Sequence, residues 1–383
     1  MTCPCSRSRF RWLRAVCSLI CVLAGCCSLP AVRAQNPDLE KPLLNIDEDI
    51  SAFAFAPDGR IVFSIRRHFH TKQYELERDD IWLQETNGKR RRLLQGEKFQ
   101  RGNTPFSYTI DSFRWSPNGR LILAQLFTTS VVDEHGNTQD SMMTMALEDT
   151  GKQIRLGGDD DLIKDAWNAS WLLDNATIVY LTEIVKPKVL FSFKYVNITA
   201  GRGSVFEGRT FLDSSPIANT NVAIGVERDR NLTGPPRLQR LELLAQEDRE
   251  LATLDGHDGG ICVSRSGRKV AYFLDRETLE VRDLMDPNKI ARLRVGLGVF
   301  QWSPDDNRIL LKRALEKKSG DLVWIDIPPL AAHTEDKDPP VTQPVPVSIL
   351  HGLSFRDFAI APDGRSLAVI APGKRNLLVF PLP

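Results

Sequence analysis

The sequence has almost no cysteine outside its first 27 residues. Six of its seven cysteines lie at positions 3, 5, 17, 21, 26 and 27, and Cys262 is the seventh. This distribution excludes a disulfide-stabilised scaffold and a zinc site built from pairs of cysteines. Cys262 lies in an apolar, strand-like run, where we expect a buried, unreactive thiol rather than a nucleophile.

The sequence also lacks an excess of charge of either sign. Its 50 lysines and arginines are balanced by 49 aspartates and glutamates. A general nucleic-acid binder needs a basic surplus, so we expect no nucleic-acid partner. Hydrophobic residues make up 42% of the chain and charged residues 26%, which is ordinary for a globular protein. A polytopic membrane protein is excluded on the same ground.

Residues 1–34 have the composition of an export signal. Four arginines and no acidic residue in the first 14 positions precede an apolar stretch that is too short to span a bilayer. Two processing sites compete. Leu-Ala-Gly-Cys at residues 23–26 resembles a bacterial lipobox, which predicts lipidation of Cys26 and removal of residues 1–25. Val-Arg-Ala at residues 32–34 resembles an ordinary signal-peptidase site, which predicts a mature chain that begins at Gln35.

Both sites predict an exported protein. Removal of residues 1–34 takes away five arginines and no acid, which leaves 45 basic and 49 acidic residues and a net charge of −4. We expect the protein in the periplasm, or on the outer membrane through a lipid on Cys26, with secretion as a further possibility. That lipid is the only membrane contact that we expect.

Seven segments of the chain repeat one pattern, in which a tight turn separates two apolar, strand-like runs. Alternation of apolar with small or polar residues has the period of a strand, and Pro-Asp-Gly supplies the backbone angles of a hairpin turn. Aligned on the turn glycine or its equivalent, the copies fall at Gly59, Gly119, Asn175, Asn219, Gly267, Asp306 and Gly364. Their spacings of 60, 56, 44, 48, 39 and 58 fit radial blades rather than solenoid turns.

Two further strand-like pieces follow in each unit, as at residues 80–85 and 90–94. We therefore expect an all-β protein, a seven-bladed β-propeller of four-stranded antiparallel blades that occupies residues 40–383. The last unit supplies only three strands. We expect residues 43–46 to pair with residues 376–380 and complete that blade, because an open edge would favour aggregation.

The Pro-Asp-Gly turn, with the strand Asp80-Ile81-Trp82 after it, resembles the WD-like repeat of the TolB propeller and of the N-terminal propeller of dipeptidyl-peptidase relatives. The resemblance covers nearly all of the chain after residue 40. It implies a propeller fold and leaves the function open, because such propellers serve as docking modules, enzymes and enzyme lids. The third and fourth units depart from the pattern, with Leu-Leu-Asp-Asn and Ile-Ala-Asn-Thr at the turn.

The two faces of this propeller differ in the length of their connections. Turns between the first and second and between the third and fourth strands of each unit are short. The other connections are longer, and we interpret six of them as long loops: residues 68–79, 96–108, 128–140, 183–188, 228–236 and 328–350. Long loops concentrate binding function, so we expect the ligand or partner on this second face.

The most distinctive segment on that face mixes cations with aromatic rings. Its candidate binding residues are Arg66, Arg67, His68, His70, Lys72 and Tyr74, which suit an acidic protein patch, an anionic ligand or a carbohydrate. His68 and His70 share a strand face if the strand continues, which also suits a metal, although a solvated loop is the simpler interpretation. We interpret the acidic residues 159–161 as a charged turn rather than a calcium site, and residues 339–346 as a polyproline-like link.

Catalysis has little support in the sequence, because it contains no Gly-x-Ser-x-Gly elbow, phosphate loop or His-Glu-x-x-His motif. We expect no hydrolase domain after the propeller, no catalytic residue, no cofactor and no metal. The sequence favours a monomeric, non-catalytic, exported propeller that docks a protein or glycan at the bacterial cell envelope. The alternative is a lactonase-like hydrolase or lyase with a metal in the central channel, although the strands that we expect there carry mostly apolar residues: Phe53, Phe113, Val299, Gln301 and Phe358.

Overall fold

The structure is a computed structural model, and it describes residues 42–70, 75–99, 106–131, 137–156, 162–185, 190–217, 220–313, 322–333, 339–350, 357–371 and 375–382. The export signal with Cys26, the acidic residues 159–161, and Lys72 and Tyr74 lie outside these residues. Within the described part, the chain forms strands and one 3₁₀ turn, Gly96–Lys98. The predicted all-β class is therefore confirmed.

The strands are numbered in chain order. They are β1 (Leu44–Ile46), β2 (Ile50–Phe55), β3 (Ile61–His70), β4 (Glu75–Gln84), β5 (Arg90–Leu94), β6 (Phe106–Trp115), β7 (Leu121–Val131), β8 (Thr138–Glu148), β9 (Gln153–Ile154), β10 (Leu162–Lys164), β11 (Ala166–Trp171), β12 (Thr177–Val185), β13 (Leu190–Asn197), β14 (Gly201–Ser204), β15 (Phe211–Pro216), β16 (Val222–Glu227), β17 (Arg237–Glu242), β18 (Glu247–Thr253), β19 (Gly259–Val263), β20 (Lys269–Phe273), β21 (Thr278–Asp283), β22 (Lys289–Arg294), β23 (Gly298–Trp302), β24 (Arg308–Arg313), β25 (Leu322–Asp326), β26 (Ala331–Ala332), β27 (Val341–Thr342), β28 (Val347–Leu350), β29 (Phe358–Ile360), β30 (Ser366–Ile370) and β31 (Leu377–Pro381).

These strands form five sheets of consecutive antiparallel neighbours. One sheet contains β2 to β10, a second contains β11 to β18, and a third contains β19 to β22 with β26 and β27. A fourth contains β23, β24, β25 and β28, and the fifth has the order β1-β31-β30-β29. Two contacts between described strands are parallel, β4 with β6 and β22 with β27. The sheets are otherwise antiparallel meanders, as the repeated hairpin pattern predicts.

The first and last described strands lie side by side. Leu44 lies opposite Val379 and Ile46 opposite Leu377, and the backbone nitrogen of Leu43 donates to the Val379 carbonyl at 2.7 Å. Ile46 is fully buried and packs into an apolar cluster with Phe53 and other residues of β2 and β3. The strand β1 therefore pairs with β31 through its backbone and packs against β2 and β3 through Ile46.

The first hairpin turn of every repeat has the same hydrogen bond, in which a backbone nitrogen donates to the carbonyl three residues earlier. Asn175 and Asp306 replace glycine at this donor position and have φ angles of 55° and 57°, in the left-handed region that asparagine and aspartate tolerate best after glycine. In the fourth repeat the donor is Thr220, so the alignment on Asn219 was wrong by one residue. Residues 218 and 219 lie outside the described part of the chain.

Several predicted loops are instead strands. β3 continues to His70 and β4 begins at Glu75, so residues 68–70 and 75–79 belong to paired strands and not to a loop. Residues 128–140 likewise lie mostly in β7 and β8, and residues 183–185 extend β12. These strands extend beyond the apolar core, and their outer residues are mostly polar. The alternation of apolar and polar residues that predicts a strand therefore stops before the backbone pairing does.

Two of the remaining long connections also contain short strands, whereas residues 228–236 are a loop, as predicted. Residues 328–350 include β26, β27 and β28, and Phe106–Tyr108 of the segment 96–108 opens β6. The link at residues 339–346 is not purely polyproline-like, because Val341 and Thr342 pair in parallel with Arg292 and Leu293 of β22. Proline has no backbone N–H to donate. Val341 and Thr342, which lie between the prolines, each have a backbone N–H that is available for strand pairing.

The core lies between the meanders rather than in one central layer. One cluster combines Leu279 and Leu293 with Phe300 and Ile309, which belong to two successive meanders. Four other clusters also combine residues of two sheets, and two lie within the first and the second sheet. Strands of this kind bury apolar residues on both faces. Cys262 is 1% exposed in such a cluster, as its apolar run predicts.

Candidate binding surfaces

Four of the six predicted site residues lie together on the outer half of β3. Arg66, Arg67, His68 and His70 are paired there with β4, and Lys72 and Tyr74 fall between the two strands, outside the described residues. We call residues 66–70 with 75–79 the charged hairpin. β2 pairs with β3 only as far as Ile65, so the charged hairpin extends beyond the first strand of its meander.

The register of the charged hairpin places each histidine opposite a glutamate. His68 Nδ1 lies 3.4 Å from Glu77 Oε1, and His70 Nδ1 lies 3.6 Å from Glu75 Oε1. Cross-strand pairs of this kind stabilise a hairpin by less than about 1 kcal/mol, and all four side chains remain exposed. The charged hairpin therefore presents carboxylates beside its histidines, whereas the sequence prediction considered only cations and aromatic rings.

The two arginines are held at the base of the hairpin. Arg66 is only 14% exposed, with its Nε 3.9 Å from Asp79 Oδ1, whereas Arg67 has its Nε 3.6 Å from Asp80 Oδ2 and retains an exposed guanidinium edge. Among the predicted binding residues, Arg66 is therefore mostly buried beside Asp79. Arg67, His68 and His70 remain accessible to a partner.

Buried hydrogen bonds fix the base of the charged hairpin against the next meander. Asp79 Oδ2 accepts from the backbone nitrogen of Ile110 at 2.7 Å, and the Tyr108 hydroxyl donates to the Asp79 carbonyl at 2.7 Å. Arg78 donates to the Phe106 carbonyl at 2.9 Å and lies over that ring. Burial raises the pKa of Tyr108 and lowers that of Arg78. The hairpin is therefore anchored by polar contacts that sequence reasoning did not find.

A cavity of about 100 Å³ lies at the opposite end of the first strands. It is lined by the last residues of these strands and by their hairpin turns, in all seven repeats. The lining residues are Ala54, Phe55, Pro57, Phe113, Arg114, Trp115, Pro117, Ser170, Trp171, Leu173, Pro216, Ile217, Thr220, Cys262, Val263, Ser264, Arg265, Gln301, Trp302, Pro304, Ile360, Ala361 and Pro362. Because antiparallel strands alternate in direction, this end is the face of the short turns, which we call the turn face. We call the face with the charged hairpin the hairpin face.

Aromatic residues recur at one position around this cavity. In four repeats, the residue immediately before the hairpin turn is a buried aromatic residue: Phe55, Trp115, Trp171 and Trp302. The Trp115 indole donates to the Ala54 carbonyl at 3.4 Å, and the Trp302 indole donates to the Cys262 carbonyl at 3.0 Å. Each bond joins one repeat to the preceding one. Arg60, held by Asp58 and Asp149, lies over the Trp115 ring at 5.2 Å.

The sequence analysis named some of the residues that line this cavity but did not predict the cavity itself. Of the residues expected in the channel, Phe113 and Gln301 line the cavity, whereas Phe53 and Phe358 pack in the clusters between meanders. The signal that was missed is the aromatic residue shared by four of the seven copies immediately before the turn.

No group of three or more histidine, cysteine, aspartate or glutamate side chains in the described part of the chain is placed to hold a metal ion. Among those residues there is also no helix that is long and apolar enough to cross a membrane.

Comparison with known proteins establishes the fold. The chain is similar to one in a crystal structure of the mitotic checkpoint complex, with a TM-score of 0.55 over 97% of this chain and 99% of that chain. The fold is a β-propeller. At 11% sequence identity, this likeness shows the propeller fold and nothing about function.

A second propeller, that of Dos1, matches with a TM-score of 0.47 and 10% identity over 89% of this chain and 94% of that chain. No family model and no curated protein matches the sequence. The resemblance to a propeller repeat is thus confirmed at the level of the fold, and the TolB-like type stays a prediction.

Proposed function

We propose that this protein is an exported, non-catalytic propeller that binds a protein or glycan of the bacterial cell envelope through its hairpin face. The charged hairpin is the observation that carries this proposal. Buried hydrogen bonds hold its base, and His68 and His70 are exposed. The charged hairpin also extends beyond β2, the first strand of its sheet. His68 and His70 are exposed and lie beyond Ile65, the last residue of β3 in the apolar cluster of β2 and β3, so that cluster does not require them.

We infer that the five sheets are seven four-stranded blades arranged in a ring. The seven equivalent turns and the cavity that they line together support this number. β1 then completes the last blade as its outer strand, beside β31. Such a ring is a rigid, monomeric platform, and it places the charged hairpin and the neighbouring β7–β8 hairpin side by side on one face.

Replacement of four basic residues between positions 67 and 72 is expected to weaken partner capture at least about fivefold. The variant replaces Arg67, His68, His70 and Lys72 with alanine. It should remain folded, because exposed substitutions usually change stability by less than about 0.5 kcal/mol each. Asp80, which loses Arg67, keeps Arg92 at 3.5 Å and the backbone nitrogen of Gly96 at 2.8 Å. The measurement is a quantitative pull-down from envelope extracts.

The matched control replaces three exposed cations of the turn face, Lys89, Arg268 and Arg365, with alanine. Capture by this variant should equal that of the wild type. If the control variant loses capture and the hairpin variant keeps it, the assignment of the face is inverted.

We also propose that the protein is anchored to the envelope by a lipid on Cys26. The expected result is that Cys26→Ser abolishes lipid attachment and releases the protein from the membrane fraction. Intact mass of the mature protein is the measurement. A wild-type protein that is already soluble and begins at Gln35 would show that cleavage occurs at residues 32–34 instead, and the protein would then be periplasmic or secreted.

A further inference from the structure

Four asparagines in the sequence begin an Asn-x-Ser/Thr triplet, the acceptor sequence for N-linked glycans in exported proteins. They are Asn168, Asn175, Asn197 and Asn231. The bacterial form of this acceptor sequence also has an acidic residue two positions before the asparagine. Asn231 has Asp229 at that position, whereas the other three asparagines have alanine, leucine and tyrosine there. The sequence therefore selects one of the four triplets for a bacterial protein.

The structure distinguishes the same asparagine from the other three. Asn168 and Asn197 lie in strands and Asn175 lies in a hairpin turn, and all three are only partly exposed. Their side-chain nitrogens donate hydrogen bonds within the fold at 3.3, 2.8 and 3.0 Å, respectively. This nitrogen is the atom to which an N-linked glycan is attached. Modification at these three positions would therefore break hydrogen bonds of the folded chain.

Asn231 lies instead in an exposed turn that is held by its neighbours. The Leu232 nitrogen donates to the Asp229 carbonyl at 2.9 Å, which closes a turn with Asn231 at its corner. The Arg228 guanidinium supports this turn from one side, because its Nη2 donates to the Leu232 carbonyl at 3.3 Å. Asp229, Asn231 and Thr233 are all exposed. The acid, the amide and the hydroxyl of the acceptor sequence are thus accessible together.

We propose that Asn231 is a glycosylation site, recognised through Asp229 and Thr233, that receives an oligosaccharide from a polyprenyl-diphosphate-linked donor. A bacterial oligosaccharyltransferase catalyses the transfer. The Asn231 Nδ2 forms a bond with the anomeric carbon of the oligosaccharide and releases one proton. The bond between that carbon and the diphosphate oxygen breaks, and polyprenyl diphosphate leaves. The proposal rests on the export that the proposed function includes, and it is independent of the charged hairpin.

The loop that carries Asn231 joins β16 to β17, the second and third strands of the fourth repeat. The charged hairpin is the corresponding connection of the first repeat, so both lie on the hairpin face. A glycan attached to an exposed turn stays in solvent and displaces no core residue. The modification is therefore compatible with the folded protein.

The test is a reaction of the purified, folded mature protein with a bacterial oligosaccharyltransferase and its lipid-linked oligosaccharide. The protein is produced in cells that lack such an enzyme, so that it enters the reaction unmodified. Its intact mass should increase by one oligosaccharide, and peptide mapping should place the added mass on Asn231. An acceptor peptide of unrelated sequence confirms that the enzyme is active.

Substitutions at the three exposed positions separate the parts of the acceptor sequence. Asn231→Gln should abolish the gain in mass. Asp229→Asn should also abolish it, although the acceptor asparagine remains. Thr233→Ala should abolish it, whereas its matched control, Thr233→Ser, keeps the hydroxyl group and should still be modified. All four substitutions are at exposed positions and should leave the fold unchanged.

The proposal is overturned if the folded protein gains no mass, or if Asn231→Gln still gains it. It is also overturned if Asp229→Asn is modified as efficiently as the wild type, because the acidic residue would then have no part in recognition. A failure of export would appear separately, as a chain that keeps its first 25 residues in cells. The reaction of the purified protein decides the proposal in either case, and loss of envelope capture by the charged-hairpin variant does not affect it.

Discussion

A mature chain that begins at residue 47 is expected to unfold at a markedly lower temperature than one that begins at residue 42, and to associate with itself. The longer chain retains β1, whose Ile46 is fully buried and whose backbone pairs with β31. Loss of one buried isoleucine side chain alone costs about 2–5 kcal/mol, and the truncation also removes the backbone pairing of Leu44–Ile46 with β31 and the hydrogen bond from the Leu43 nitrogen to the Val379 carbonyl. β31 then becomes an open edge that another chain can pair with.

Point variants within the same strand provide the matched comparison. Ile46→Ala should lower the free energy of unfolding by about 2–5 kcal/mol and the melting temperature by roughly 5 °C or more. Leu43→Ala, at a neighbouring exposed position, should change it by less than about 0.5 kcal/mol. Urea unfolding and sedimentation measure the two effects. Equal stability of the chains that begin at 42 and at 47 would show that β1 does not close the ring.

Substitution of Glu280 is expected to have an effect of similar size for a different reason. Glu280 is 1% exposed, and its two oxygens accept hydrogen bonds from Arg282 at 2.6 Å and Arg292 at 3.0 Å, with the Tyr272 hydroxyl as a third donor. Burial raises the pKa of Tyr272, so this hydroxyl stays neutral. Glu280→Gln leaves the buried guanidinium of Arg282 without an anion and leaves Arg292 with only the exposed Asp255, which should cost about 3–5 kcal/mol.

Two controls separate the lost charge from the lost packing. Asp255→Asn also removes an anion from Arg292, but Asp255 is exposed, so its substitution should cost no more than about 1 kcal/mol. The triple variant Glu280→Leu, Arg282→Met and Arg292→Met should be more stable than Glu280→Gln, because it removes all three buried charges together. A triple variant less stable than the single one would show that this network contributes net stability.

The sequence was most informative where local chemistry decides the structure. Asn175 and Asp306 replace the turn glycine because both tolerate a positive φ, and the repeat was readable through them. The alignment failed by one residue at Thr220, where neither proline nor glycine marks the turn. The charged hairpin was interpreted as a loop because exposed strand residues need not alternate, and only the pairing with β4 shows that the strand continues.

The cavity is a different case, because no single repeat contains it. Seven turns that are far apart in sequence supply its lining. The polar base of the charged hairpin was missed for the same reason, since Asp79 meets Ile110 and Tyr108 only in the folded chain.

Site-specific photo-crosslinking in envelope preparations tests the proposed function most directly. One probe residue replaces His70 on the hairpin face, which is 74% exposed, and a second replaces Met285 in a turn of the opposite face, which is 80% exposed. The two positions are equally accessible, so a difference in yield reports where the partner binds. We expect a covalent adduct with an envelope component from the probe at residue 70 and none from the probe at residue 285. An adduct from residue 285 and none from residue 70 would contradict it.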